Sequence, residues 1–297
     1  MISIIICSRE NNISTSLKDN IASTIGFEYE LVIIDNSKNQ YSIFEAYNIG
    51  IGKSYGEILC FIHDDIKIIT ENWGEILNTI LKQNEKIGLI GIAGSKSKTK
   101  MPSAWWDSPA QDIFINIIQH SLNKEKEHWF RGFTNNPLEE VVAIDGVFMA
   151  ARKVESINFS EELKGFHNYD LNFSFEYLKK GYKIVVTKEV LLEHYSRGII
   201  NKDWCKSAIE FYKLYKDFLP LSVSETNNIK SQEFKNGNYF VSQLIGFNLI
   251  KESFRFWLDL IWMKPKSKSH FQLLKKIIKQ SKVFKVYKNT NQTDSNK

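Results

Sequence analysis

The sequence predicts an α/β domain with a mostly parallel sheet flanked by helices, followed by a helical extension. Three observations carry that prediction. β-like and helical segments alternate through the N-terminal part of the chain. The apolar runs are continuous, as in strands buried on both faces. Several of them stop abruptly in polar residues, at the sheet edge where open α/β folds gather their ligands. The clearest such edge is the run from Gly56 to Ile62, which ends in His63, Asp64 and Asp65. Adjacent carboxylates repel unless a cation sits beside them, so this terminus suits a divalent ion carrying phosphates. A solvated turn or cap would also accept the pair.

The first strand is Ile2 to Cys7, followed by the polar stretch Ser8, Arg9, Glu10 and Asn11 and a helix from about Ile13 to Thr24. The second strand, Tyr29 to Ile34, ends in Asp35, Asn36 and Ser37. Ile43 to Ser54 reads as a helix supplying Asn48, Gly50, Gly52 and Lys53 ahead of the strand that leads to Asp64 and Asp65. A helix from Trp73 to Gln83 and a strand from Ile87 to Gly94 come next. Residues 95–140 show little periodicity but hold Trp105, Trp106 and Trp129, as an aromatic insertion or lid would, with core packing the equal alternative. The β-type run Glu140 to Ala150 is broken at Asp145 and Gly146, where a bulge or a close ligand is expected. Asp170 opens a helix that ends before Gly181, and a carboxylate there also serves as a cap favoured by the helix dipole. A strand from Tyr182 to Thr187 completes the pattern, followed by the run Val190 to Gly198, in which His194 comes after the last strand.

Beyond Asn201 the pattern turns helical, which sets a boundary near Ile200 between a domain over 1–200 and an extension over 201–297. The extension reads as a helix from Trp204 to Phe218, a polar linker from Ser222 to Asn238, and an aromatic, basic region to the end. Phe247 to Trp262 is rich in aromatic residues, and lysines dominate from Lys264 onward, with Asp294 the single acid. That combination fits a peripheral contact with an anionic membrane as well as it fits packing on the domain. A nucleic-acid partner is the least expected.

At 297 residues the chain can bury one sizeable core plus an appendage. Cys7, Cys60 and Cys205 are odd in number and far apart, which argues against a disulfide framework or a zinc site and for a reducing cytoplasm. Neither a signal peptide nor a membrane span is expected, since no apolar run approaches the ~18 residues that a span needs.

The order of these segments over residues 2–198 resembles the family-2 glycosyltransferases of the GT-A fold, especially a bacterial subgroup associated with capsule and other surface polysaccharides. The resemblance assigns Ser8 and Arg9 to the opening of a nucleotide site, and Asp35 with Asn36 to the nucleobase or ribose. It places Asn48 and Lys53 toward the pyrophosphate. Asp64 and Asp65 match the end of the family's Asp-x-Asp motif, with Asp65 the metal ligand and Asp64 facing sugar or ribose; His63 stands where the family has aspartate. Asp145 and Gly146 resemble a donor- and acceptor-side loop. Asp170 falls on the catalytic base, with Tyr169 in place of a glutamate and Asn172 in place of a second acid. His194 resembles the histidine that completes the metal site.

The resemblance implies Mn²⁺ or Mg²⁺, a nucleoside-diphosphate sugar as donor, UDP-linked before other nucleotides, and a glycan or lipid-linked acceptor. Such a transfer needs charge neutralised on the leaving diphosphate and a base for the acceptor hydroxyl. One base without a second nucleophilic carboxylate implies inversion. Lys53, Arg9 or Arg197 would add positive charge at the pyrophosphate, and Trp105, Trp106 and Trp129 would stack on an acceptor sugar. A non-catalytic nucleotide-sugar-binding protein of the same fold is the alternative that His63 and Tyr169 keep open. A sugar nucleotidyltransferase would require a glycine-rich phosphate loop, which Ser8 to Asn12 is not.

Overall fold

Alternation along the first strand decides how the sheet is covered. Ile2, Ile4 and Ile6 enter one core while Ile5 enters another, and Ile58, Cys60 and Ile62 divide from Leu59 and Phe61 in the same way. Both faces are apolar, so both must be covered by helices. The computed structural model describes residues 1–121, 125–223 and 229–293, with side chains to 281.

The chain opens with β1 (Ile2–Ser8), α1 (Thr15–Thr24), β2 (Tyr29–Asp35), α2 (Ile43–Lys53) and β3 (Ile58–Ile62). β4 (Ile66–Ile68), α3 (Trp73–Gln83), β5 (Ile87–Gly91), β6 (Ala93–Ser95) and β7 (Ser97–Lys98) follow. Then come β8 (Ile113–His120), β9 (Lys126–Arg131), β10 (Leu138–Val141), β11 (Ala143–Ile144) and β12 (Phe148–Arg152). α4 (Tyr169–Lys179), β13 (Lys183–Thr187) and β14 (Leu192–His194) lead to α5 (Lys202–Tyr215) and β15 (Leu221–Ser222). The helices α6 (Ile229–Gly246), α7 (Ile250–Met263) and α8 (Ser269–Thr293) complete it.

Among the described residues, seven strands form the main sheet in the order β10-β13-β5-β12-β3-β1-β2. The expectation of a mostly parallel sheet is corrected: β1 pairs in parallel with β2 and β3, and β13 with β5, but β12 runs antiparallel to both neighbours and β10 antiparallel to β13. The sheet is mixed. α1 and α3 cover one face through Leu17, Ile21, Leu77 and Ile80; α2 and α4 cover the other through Phe44, Tyr47, Phe173 and Phe175. A capping box at Ser42 and Glu45 starts α2 where its sequence pattern begins.

A second sheet, β11-β6-β8-β14-β4 with β9 on β8, corrects three further expectations. Residues 95–140 are not an irregular lid: they carry the β8/β9 hairpin, and β8 lies inside this sheet. The continuous strand expected over Ile87 to Gly94 divides at Ile92, leaving β5 in the main sheet and β6 in the second. The run from Glu140 to Ala150 breaks around Asp145 and Gly146 as expected, between β11 and β12, but also at Val142, where β10 of the main sheet gives way to β11 of the second. The changes of sheet at Ile92 and Val142 are hidden because the residues on both sides are buried; a change of sheet leaves no mark on hydrophobicity.

The expected polar linker over 222–238 is helical from Ile229, while 224–228 lie outside the described residues, as does Asp294. α5 faces two ways. Phe211 and Tyr215 join the core under α4, whereas Trp204, Cys205, Ala208 and Ile209 join a third cluster with Phe240, Phe256, Trp257 and Leu260 of the C-terminal helices. No helix of the described residues is long and apolar enough to cross a membrane.

Candidate functional site

Registers of three strand pairs bring distant residues to one edge. β3 delivers His63, Asp64 and Asp65 beyond Ile62. Phe148 of β12 lies opposite Ile62, so Asp145 and Gly146, just before β12, return to the same edge, and the His63 amide donates to the Val147 carbonyl at 3.3 Å. β14 pairs with β4 so that His194 lies opposite Ile66, and the Tyr195 amide donates to the Asp65 carbonyl at 3.1 Å. α4 starts here with Tyr169 and Asp170. The Tyr169 side chain packs against Gly146, where an added Cβ would stand 2.3 Å from its hydroxyl; only glycine leaves that space.

His63, Asp65 and His194 form a compact triangle. His63 Nδ1 is 3.4 Å from His194 Nε2 and 3.8 Å from Asp65 Oδ1, and His194 Nε2 is 3.7 Å from the same Asp65 oxygen. Ligands held ~2.1 Å from one ion lie about 3.0–3.4 Å apart, so a contraction of a few tenths of an ångström would close the triangle on a divalent cation. The group can therefore coordinate such an ion.

Supporting hydrogen bonds orient both imidazoles for that task. Gln119 of β8 lies beside His194, and its Oε1 is 3.1 Å from His194 Nδ1. Its Nε2 donates to the carbonyls of His194 and Ser196 at 3.2 and 2.7 Å, which fixes the orientation of the amide. Nδ1 of His194 must then carry the proton, leaving the Nε2 lone pair facing the triangle. Burial first, and the neighbouring His63 second, press the His194 pKa below its ordinary value, which favours the neutral ring that can ligate. On His63, Nε2 lies 2.6 Å from the Tyr169 hydroxyl, leaving Nδ1 for the triangle.

The triangle stands in the wall between two cavities. The smaller, about 390 Å³, is lined by Ser8, Arg9, Asn36, Asp64 and Asp65. The larger, about 540 Å³, is lined by Trp105, Trp106, Trp129, Asp170, His194 and Arg197. His63 and Tyr169 line both. In the smaller cavity Arg9 grips Asp64 through Nη2 at 2.7 Å, Nε at 3.3 Å and its backbone amide at 3.1 Å, with Nη2 3.6 Å from Asp65. Burial would raise the Asp64 pKa, but the Arg9 bonds outweigh it and hold the carboxylate below its usual range.

In the larger cavity, Asp145 accepts hydrogen bonds from Trp105 Nε1 and the Val147 amide, both at 2.8 Å. Asp170 accepts from the Leu171 amide at 2.8 Å, and the amides of Gly146 and Asp170 itself also favour its charged form. Burial, and next the charge of Asp145, lift its pKa to about 7. Trp106 stands edge-on to Trp105, and Arg197 lies over Trp129 at 5.2 Å.

The expected donor, acceptor and catalytic residues separate into two groups. Ser8, Arg9, Asn36 and Asp64 share the smaller cavity, and Asp145, Gly146, Trp105, Trp106, Tyr169 and Asp170 line the larger. Asp35 is exposed at the end of β2 and accepts a bond from the Ser37 amide at 2.9 Å. Asn48 points away from both cavities, bonding the amide and carbonyl of Phe159 at 2.9 and 2.8 Å. Lys53 ends α2 at the opposite sheet edge, where β1 and β3 begin. Two site residues escaped the sequence reading as ligand and support: His63, which stood out only as a departure from a motif, and Gln119, whose signal was its place at the end of the apolar run Ile113 to Ile118.

Comparison with known proteins gives one match in sequence: the family described as "Glycosyltransferase like family" matches residues 3–218. No curated protein matches. Among solved structures, S. aureus TarS 1-349 in complex with UDP-GlcNAc is 13% identical, with a TM-score of 0.48 over 97% of this chain and 92% of that one. GalNAc-T7 with UDP, GalNAc and Mn²⁺ is 12% identical, with a TM-score of 0.46 over 82% of this chain. This chain spans 56% of the GalNAc-T7 chain.

Proposed function

This chain belongs to the glycosyltransferase-like family, and from that premise we propose that it moves a sugar from a nucleoside-diphosphate sugar to a hydroxyl of a glycan or lipid-linked acceptor, with inversion. One observation carries the reading: the His63, Asp65 and His194 triangle lies in the wall between two cavities, one of which holds a carboxyl group with a pKa of about 7.

The smaller cavity takes the nucleotide, where Arg9 and Asn36 offer donors to phosphate and ribose oxygens. His63, Asp65 and His194 would hold Mn²⁺ or Mg²⁺, which would supply the positive charge that a departing diphosphate requires, and two imidazoles beside one carboxylate tilt the choice toward Mn²⁺. The sugar and acceptor occupy the larger cavity against Trp105 and Trp106. Asp170 accepts the proton of the acceptor hydroxyl as its oxygen attacks the anomeric carbon. The bond to the phosphate oxygen breaks with its electron pair leaving on the diphosphate. A base with a pKa near the working pH suits this transfer. Asp145, the other carboxylate lining that cavity among the described residues, is committed to Trp105 and Val147, so no covalent glycosyl intermediate is expected and the reaction inverts. A uridine nucleotide and a role in bacterial surface polysaccharide rest on the motif resemblance alone.

The test pairs binding with turnover. In a screen of UDP-, GDP- and dTDP-sugars with Mn²⁺, one donor should raise the melting temperature, and chelation should cancel the gain. Asp170→Asn should keep that gain while losing at least ~100-fold of transfer or donor hydrolysis. A parent protein that binds a donor yet never turns it over would instead be a binding protein of the same fold.

A further inference from the structure

We propose that the outer face of α7, continued by the start of α8, docks on an anionic lipid surface. α7 has two unlike faces. Ser253, Phe256, Trp257 and Leu260 are buried against the third core cluster, whereas Lys251, Phe254, Arg255, Leu258 and Trp262 are exposed. At about 100° per residue these five fall within roughly a third of the helix circumference, an apolar stripe bordered by cations. Trp262 is 86% exposed and Phe271, just across the turn, 76% exposed. Side chains of that size rarely stand so far into water without a partner. On α8, Lys275 and Ile278 follow Phe271 at helical spacing and are exposed as well.

Charge decides which partner fits. Between residues 250 and 281 the chain has eight lysines and arginines against two acids, Glu252 and Asp259, and helical spacing puts both acids beside the stripe rather than on it. A symmetric contact with a second copy would set cation against cation. Nucleic acid would answer the lysines but leave the projecting Phe254, Leu258 and Trp262 unused. A bilayer bearing anionic headgroups answers both, with aromatic residues at the interface and lysine heads among the phosphates. Docking there has a consequence for the site. Trp204, packed in the same cluster as the buried face of α7, also lines the larger cavity. Docking would therefore hold that cavity close to the headgroups. The proposal does not depend on the sugar-transfer reading.

Flotation of the full-length protein with vesicles tests it. Phosphatidylcholine vesicles containing phosphatidylglycerol should carry the protein upward at low salt, and pure phosphatidylcholine should not. The Trp262 emission should shift to the blue only with the anionic vesicles. Phe254→Glu with Trp262→Glu should cut the bound fraction at least ~10-fold with the melting temperature unchanged, because both side chains lie outside the core. Should that variant fold poorly, Lys266→Glu with Lys268→Glu, in the exposed turn, should give the same loss. Absence of flotation, equal flotation on both vesicle types, or equal flotation of parent and variants would overturn the proposal. So would self-association or nucleic-acid binding that the variants abolish while vesicles are ignored.

Discussion

Asp170 destabilises the protein at the pH where it would act. Its pKa is raised to about 7 in the fold, against about 3.9 in an unfolded chain. Below the lower value the group is protonated in both states and costs nothing. Between the two, the folded state holds a proton that the unfolded state has released, so stability falls as pH rises, and above about 7 the full penalty is present. Asp170→Asn, which can still accept the Leu171 amide, should therefore be more stable than the parent by on the order of 2–4 kcal/mol above neutrality and no more stable near pH 4; melting curves across that range check it. A second expectation concerns the two positions where the chain departs from its family pattern. His63 and Tyr169 touch, at 2.6 Å. Tyr169→Phe should leave His63 in place but free its ring to turn, weakening Mn²⁺ binding by ~10-fold, by calorimetry, with smaller effect on nucleotide affinity measured without metal.

At the scale of elements, the sequence made some features plain and hid others for definite reasons. β1, β2 and β3 were visible because buried parallel strands are continuous apolar runs, and α2 because the segment from Ile43 keeps a helical pattern. The strands that change sheet at Ile92 and at Val142 were invisible, since burial continues across the change. The antiparallel direction of β12 is likewise unmarked by composition, and it is this direction that returns Asp145 to the site. Asn48 shows how a motif can mislead. It matches a nucleotide-binding segment by spacing, yet it sits on the face of α2 that holds the 159 loop. Asn48→Ala should cost about 1–3 kcal/mol by stranding the Phe159 amide and carbonyl, while nucleotide affinity stays within twofold, by urea titration and calorimetry. The Asp65 and His194 pairing, by contrast, came from the family resemblance; the strand that makes it, β4 directly after Asp65, is three residues long and gave no separate signal.

Over the whole molecule, the C-terminal helices do more than follow the domain. Asn236 of α6 donates to Thr99 Oγ1 at 2.9 Å and to the Asp107 carbonyl at 2.8 Å, and Gln232 donates to the same carbonyl at 2.8 Å. Glu233 accepts the amides of Lys100 and Met101. These bonds clamp the loop that carries Trp105 and Trp106. Asn236→Ala should lower stability by about 1–3 kcal/mol and raise the KM for acceptor with little change in that for donor, in steady-state assays varying each substrate. A different consequence follows from Arg9, whose exposed guanidinium is already engaged by Asp64. Under the proposed reaction, an arriving diphosphate would compete with Asp64 for the Nη2 and Nε donors of that cation. The attraction that Arg9 would lend such a ligand is then a difference between two partners, and part of the pocket's selectivity would lie in how readily Asp64 lets go.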